Sequence, residues 1–341
     1  MKNTVVTFGE IMLRLAPFHK ERLLQTSLLQ TGFGGGEANV AVSLAILGHS
    51  VRFVSRLPQN ALGQAAVRFV RGFGVDTSFI VFGGERMGIY FLEHGASVRP
   101  SKVIYDRAHS AISQAKADDF NWQNIFSDAH WFHITGITPA LSPELSRICL
   151  AAVKTAKESG VTVSCDLNYR KKLWSKEEAR KVMGQLVRFT DVIIANEEDA
   201  ADVFGIEAES TDVISGKLDI AHYKSVAKQL LNVGNAQLVA ITLRESISAS
   251  DNNWSAMLFD GDSYYVSRKY PIHLVDRVGG GDSFAAGLIH GLNKFSDKQQ
   301  ALEFAVAASA LKQTIPGDMN LANETEIMNI LNGDLSGRVQ R

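Results

Sequence analysis

Apolar residues along the chain follow two alternating patterns. Short uninterrupted runs rich in Val and Ile, VVTFG (5–9), VRFV (51–54), VTVSCDL (161–167), DVIIAN (191–196) and LVAITL (238–243), fit strands buried on both faces of a parallel sheet. Among them, EANVAVSLAILG (37–48), PELSRICLAAVKTAKESG (143–160) and KSVAKQLLNVG (224–234) read as helices, each ending near a glycine suited to a C-cap. Such repeated strand and helix alternation predicts an α/β layered sheet. Residues 80–106 break the rhythm, because GIYFLEHG (88–95) and KVIYD (102–106) are strand-like with no helix between them. Together with IMLRLAP (11–17) they would form a small β-structure, either a lid over a cleft at the strand ends or an ordinary edge hairpin. GIEAESTDVISGKLDI (205–220) is the expected exposed insertion. With no internal repeat, low-complexity tract or Pro-rich linker, one domain is expected over 1–341, its β-lid built from about 11–18 and 80–106.

Composition narrows the partners. The 341 residues are 45% hydrophobic, enough for a sizeable core, and 35 Lys+Arg against 36 Asp+Glu leave a formal charge of -1. No overall field then favours nucleic acid or an anionic membrane, so any phosphate binding must be local. Cys149 and Cys165 sit in apolar runs without CxxC spacing, which fits buried structural thiols in a reducing compartment. The first residues, MKNTVVTFGE, lack a signal peptide's apolar core, and no apolar run reaches membrane-spanning length. These features predict a cytoplasmic protein with small-molecule ligands.

The chemistry centres on DRVGGGDSF (276–284). A P-loop is absent, since the only Gly-Lys pair, Gly216-Lys217, is followed by Leu218. GxGxxG fails as well, because Phe284 and Glu37 stand where its last glycine belongs. A P-loop NTPase and a standard NAD-dependent oxidoreductase are therefore disfavoured. The run Gly279-Gly280-Gly281-Asp282 nevertheless lets backbone N–H groups converge at the positive end of the helix FAAGLIHGL, which suits an anion. Asp282 makes sense there as the base that takes a hydroxyl proton while that oxygen attacks phosphorus. Taken alone, the stretch reads first as a helix cap, with Asp282 bonding its own turn.

GGGEANVAVSLAILG (34–48) and DRVGGGDSFAAGL (276–288) resemble the ribokinase-like (PfkB) family of carbohydrate kinases. The family's wording is closer to DTxGAGDxF, so Arg277 and Gly280 depart from it. GIYFLEHGASVRPSKVIYDRAHSA (88–111), FHITGITPALS (132–142), SCDLNYRKKLW (164–174) and IANEEDA (194–200) are most similar to members acting on 2-dehydro-3-deoxy-D-gluconate. The resemblance covers nearly the whole chain. It implies a Rossmann-type three-layer α/β core with a small β-sheet lid, and ATP-dependent transfer of a phosphoryl group to the 6-hydroxyl of that sugar acid.

Position by position, the resemblance puts Asp282 as base, the Gly279, Gly280, Gly281 backbone as anion hole, and Gly35, Gly36 and Asn39 under the sugar. Tyr90, Tyr105 and Arg107 match substrate-contacting positions in the lid. A keto-deoxy acid carries a carboxylate that a guanidinium binds through two parallel hydrogen bonds, and Arg107 and Arg170 are the candidates. Arg170, with Asn168, also stands where nucleotide phosphates are expected. Asn196, Glu197 and Asp199 correspond to a region near the Mg²⁺-bound phosphates, with support direct or through water. Thr242, Arg244 and Ser246 follow a strand on the nucleotide side, and Ala308 would let adenine lie flat. Rival readings are a fructokinase- or ribokinase-type enzyme and a non-catalytic sugar or nucleotide sensor. Exposed lid strands would also allow a homo-oligomer through β-pairing.

Overall fold

A strand buried on both faces needs apolar side chains at successive positions, and β1 (Thr4–Phe8) meets that condition along its whole length. The computed structural model describes residues 3–196, 198–206 and 220–333. After β1 come β2 (Met12–Ala16), β3 (Gln30–Gly34), α1 (Gly36–Ile46), β4 (Ser50–Leu57), α2 (Ala61–Arg71), β5 (Ile80–Phe82), β6 (Ile89–Glu93) and β7 (Lys102–Asp106). The middle of the chain holds α3 (Trp122–Ile125), β8 (Ala129–Thr135), α4 (Pro143–Glu158), β9 (Thr162–Asp166), α5 (Lys176–Leu186), β10 (Val192–Asn196) and α6 (Ile220–Val233). The last part contains β11 (Leu238–Ser246), β12 (Asp251–Phe259), β13 (Tyr264–Val266), β14 (Tyr270–His273), α7 (Gly280–Lys294), α8 (Lys298–Lys312) and α9 (Glu324–Leu331).

The main sheet runs β13-β12-β11-β10-β9-β8-β1-β4-β5, with β14 also on β12. Every pairing from β11 to β5 is parallel, and β12, β13 and β14 add an antiparallel flank. Successive side chains point to opposite faces, so Val5 joins the α1, α7 and α8 core while Val6 and Phe8 join the α4 and α5 core. The result is the expected three-layer α/β fold. Strand order reverses between β1 and β8, which opens a crevice at the carboxyl ends of the strands.

A second sheet, β3-β2-β6-β7, lies outside the first. Two of its strands fall within GIYFLEHG and KVIYD and a third within IMLRLAP, but β3 belongs to it too, and β5 extends the main sheet instead by pairing with β4. The expected insertion at 205–220 lies outside the described residues from 207 to 219. Cys149 and Cys165 are free and buried, and burial pushes both thiols up. No helix among the described residues is long and apolar enough to cross a membrane.

Ala308 has no exposed surface and faces Gly287 of α7. Its small side chain serves the contact between α7 and α8, so the expected adenine contact is corrected: the position has no surface left for a ring. A Cβ on Gly287 would come within 2.8 Å of Ala305 Cα, a backbone atom that cannot rotate away. Gly287→Ala should therefore destabilise the protein by about 1–3 kcal/mol through overpacking, outweighing the roughly 1 kcal/mol gained in helix propensity. A denaturant midpoint that rises instead would show that the two helices separate without cost.

Candidate active site

The crevice at the strand ends is a cleft of about 1240 Å³, lined from the small sheet, the ends of β9, β10 and β11, and the turn before α7. A smaller cavity of about 560 Å³ beside Lys154, Arg180 and Arg188 contains none of the candidate residues. The cleft gathers Gly35, Gly36, Asn39, Tyr90, Tyr105, Arg107, Asn168, Arg170, Asn196, Asp199, Thr242, Arg244 and the stretch 279–282. Ser246 is corrected along with Ala308: it lies at the far end of β11, exposed and paired with Asn252, and does not line the cleft.

The three glycines of the turn have different reasons. Gly279 is the N-cap of α7 at φ 81°, and a Cβ there would sit 2.0 Å from the Asp318 carbonyl oxygen. At Gly280 a Cβ would meet the flexible side chain of Gln313 at 3.3 Å, and at Gly281 it would meet nothing within 4 Å. Gly281 is thus open to the cleft. No side chain caps α7, so the helix-cap reading of Asp282 does not hold. Asp282 lies inside the first turn, and its Oδ2 accepts from Asn39 Nδ2 at 2.6 Å. Of the first-turn amides of α7, that of Gly280 donates to the Arg277 carbonyl at 3.3 Å, and those of Gly281 and Asp282 remain available to an anion.

Loss of water pushes the Asp282 carboxyl up to about 7; Asn39 pulls the other way, and Asp318 and Glu37 add repulsion. Asp166 is likewise raised by burial and by Asp199 and Asp282. Burial brings Asp199 to about 6 against the hydrogen bonds that it accepts. Arg170 is the cation that draws all three down. Its guanidinium has no hydrogen-bond or ion-pair partner among the described residues and is exposed to the cleft. Asn168, beside it, holds a left-handed φ of 36° and donates its N–H to Asp166 Oδ1 at 3.2 Å.

Other expected contacts have different partners here. Asn39 is 3% exposed and spends its amide on Asp282 and on the Gly35 N–H at 3.2 Å, so it orients the carboxylate rather than offering itself to a hydroxyl. Gly35 is needed because a Cβ would fall 1.9 Å from the Glu10 carbonyl oxygen. The Tyr90 hydroxyl donates to Asp318 Oδ1 at 2.6 Å, leaving its ring on the cleft wall 6.1 Å from that of Tyr105. Arg107 donates Nε and Nη2 to Glu10 Oε2, so its charge is already offset. Thr242 lines the cleft with its hydroxyl 3.5 Å from the Ala195 carbonyl oxygen.

Asn196 and Asp199 also have their oxygens in use. Asn196 Oδ1 accepts from the N–H groups of Glu198 and Asp199 at 2.8 and 2.9 Å, and Asp199 accepts from those of Tyr169 and Asn196 at 3.0 and 3.2 Å. No group of three or more His, Cys, Asp or Glu able to hold a metal occurs among the described residues, and Glu197 lies outside them. This donor set fits a magnesium ion that keeps its waters and is carried by phosphates, not one caged by protein.

Several residues of the site were not anticipated. Glu37 is buried and binds the Thr135 N–H and the hydroxyls of Thr135 and Thr138 at 3.1, 2.8 and 2.8 Å, pinning α1 to the end of β8. Behind the glycine turn, Arg14 of β2 reaches Asp276 and Asp318, both at 2.5 Å, and the fully buried Lys312 donates to the carbonyls of Asp276 and Ile315 at 3.1 and 3.3 Å. The available signal was a charge inside an otherwise apolar or small-residue run, as in GEANVAV and ASALKQ.

The profile described as pfkB family carbohydrate kinase matches residues 2–326, and the chain belongs to that family. It is an ATP-dependent carbohydrate kinase. More particularly, it is similar to the crystal structure of 2-dehydro-3-deoxygluconokinase from Thermotoga maritima, at 52% identity and TM-score 0.93 over 98% of this chain and 99% of that one. The 2-dehydro-3-deoxygalactonokinase of Haloferax volcanii is 32% identical over 99% of both chains. The 2-dehydro-3-deoxygluconokinase of Bacillus subtilis is 29% identical over 94% of this chain and 92% of its own.

Proposed function

We propose that the protein phosphorylates 2-dehydro-3-deoxy-D-gluconate at its 6-hydroxyl, with Asp282 as general base and the 279–282 backbone as anion hole. The observation that carries the chemistry is the uncapped first turn of α7. The Gly281 and Asp282 amides are free for a phosphoryl group, that of Gly280 being bonded to the Arg277 carbonyl, while Asp282 is held by Asn39 at the cleft with its carboxyl near neutrality. Asp282 accepts the hydroxyl proton as the sugar oxygen bonds to the γ-phosphorus and the bond to the ADP oxygen breaks. Magnesium bound to the nucleotide would neutralise charge on the phosphates, with Asn196 and Asp199 holding its waters. The small sheet acts as a lid on the sugar side.

The choice of a sugar acid is supported by the relatives named above and by the charge of the cleft. Arg107 is neutralised by Glu10, whereas the Arg170 guanidinium makes no hydrogen bond or ion pair among the described residues, so Arg170 is the anchor for the substrate carboxylate. Arg170→Ala should raise KM for the acid about 10- to 100-fold, the worth of a charge-assisted pair, with a much smaller change for ATP. Equal losses with acid and neutral sugars would remove carboxylate anchoring. A coupled assay of ADP release across 2-dehydro-3-deoxygluconate, 2-dehydro-3-deoxygalactonate, fructose and ribose tests the substrate itself. Turnover confined to the neutral sugars would overturn it.

A further inference from the structure

Arg277 departs from the family's wording, and its surroundings indicate what it does. It lines the cleft with Arg244 of β11, two residues before the N-cap of α7. Its Nη2 lies 3.3 Å from the Asn252 side-chain oxygen once that amide is turned to satisfy both of its ends, while its Nε is buried with no partner among the described residues. The adjacent Asp276 cannot neutralise it, because that carboxylate already receives Arg14 and the N–H groups of Val278 and Gly317. Of the cleft arginines, Arg107 is paired with Glu10 and Arg170 acts on Asp166, Asp199 and Asp282, whereas Arg244 and Arg277 have no acidic partner among the described residues. Burial and the neighbouring Arg244 both press against the charge on Arg277.

Two like charges held toward one cavity disfavour the empty protein and favour an anion that bridges them. A single carboxylate is a poor match, since Arg170 suffices for it. A polyphosphate spreads several negative oxygens over a length that suits two guanidinium groups, and forks of N–H donors match phosphate geometry. Arg244 rises beside Thr242, and Arg277 opens the turn that continues into Gly279–Asp282. An anion between them therefore approaches the anion hole from the β11–β12 side.

We infer that Arg277, together with Arg244, binds the polyphosphate of the nucleotide co-substrate. The inference rests on the kinase reading of this cleft but not on the identity of the sugar. Calorimetric titration with magnesium and ATP, ADP or AMP, without any sugar, tests it on wild type, Arg277→Gln and Arg277→Lys. Arg277→Gln should weaken ATP binding about 10- to 100-fold, as expected for one charge-assisted contact to phosphate. AMP binding should change little, and Arg277→Lys should recover part of the loss. ATP affinity within about twofold of wild type in a folded Arg277→Gln variant would overturn the inference, as would an equal loss for AMP and ATP. Should Arg277→Gln not fold, Arg244→Gln is titrated in its place: ATP binding weakened selectively over AMP supports the paired contact, and unchanged ATP binding overturns it. Wild type that binds ATP but phosphorylates no sugar acid would overturn the substrate reading and leave this inference standing.

Discussion

Asp282→Asn should lose about 10²- to 10⁴-fold in kcat, the usual contribution of a positioned base, while ATP and sugar acid still bind. Retention of more than about a tenth of turnover would assign proton removal to another group. The pH dependence follows from the same carboxyl. The base must be ionised to accept a proton, so kcat/KM should rise with pH and bend near the value of about 7 reached in the free protein. The stability effect has the opposite sign. A carboxyl raised from 3.8 to about 7 on folding binds its proton more tightly in the folded state. Its favourable contribution is complete below the unfolded value and is lost as pH rises through about 7. Asn keeps an oxygen for Asn39 and carries no charge, so the Asp282→Asn protein should melt at a higher temperature than wild type at pH 8. Lower activity with higher stability is the pattern expected of a group kept for catalysis against its own solvation, and lower stability at pH 8 would contradict it.

Strands buried on both faces announce themselves through consecutive Val and Ile, and β1, β4, β9, β10 and β11 were legible for that reason. The strand β3, QTGFG, was not, because it is polar, glycine-containing and mostly accessible, so its pairing with β2 leaves no apolar alternation to read. The start of β12, Asp251-Asn252-Asn253, is equally polar; its pairing depends on β11 and β14 rather than on composition. In the site, the glycine turn was legible because backbone freedom requires glycine. Ala308 misled because small residues on a helix mark close helix packing as readily as a flat ligand. Asn39 was placed in the cleft by its motif, but its partner lies 243 positions away, and only the fold shows that its amide is spent on Asp282. The buried ion network escaped for the same reason: Arg14 and Asp318 are 304 positions apart, and nothing local to either specifies the other.

That network should give the largest loss of stability. Arg14→Met leaves Asp276 and Asp318, with side chains 1% and 3% exposed, facing each other without their shared counterion. Burial opposes the charge on Arg14, yet the two carboxylates more than compensate and hold it above its ordinary range. In the intact protein two cations, Arg14 and Lys312, balance two anions. Removing one partner of a buried set costs about 3–5 kcal/mol, because two buried anions are then left to one cation, Lys312, and the neutral donors Val278, Gly317 and Tyr90 do not replace the lost charge. Arg14 sits on β2 of the small sheet, Asp276 opens the glycine turn, and the Asp318 carbonyl lies where a Cβ of Gly279 would be. Loss of the arginine therefore loosens both the attachment of the sheet and the floor of the anion hole. The Arg14→Met variant should unfold at a markedly lower denaturant concentration and retain reduced kcat under native conditions. Adding Asp318→Asn restores the charge balance and should recover part of the stability, because one unpaired carboxylate becomes a neutral amide of the same shape. If the double variant is no more stable than Arg14→Met alone, lost packing of the arginine side chain, and not unbalanced charge, accounts for the cost.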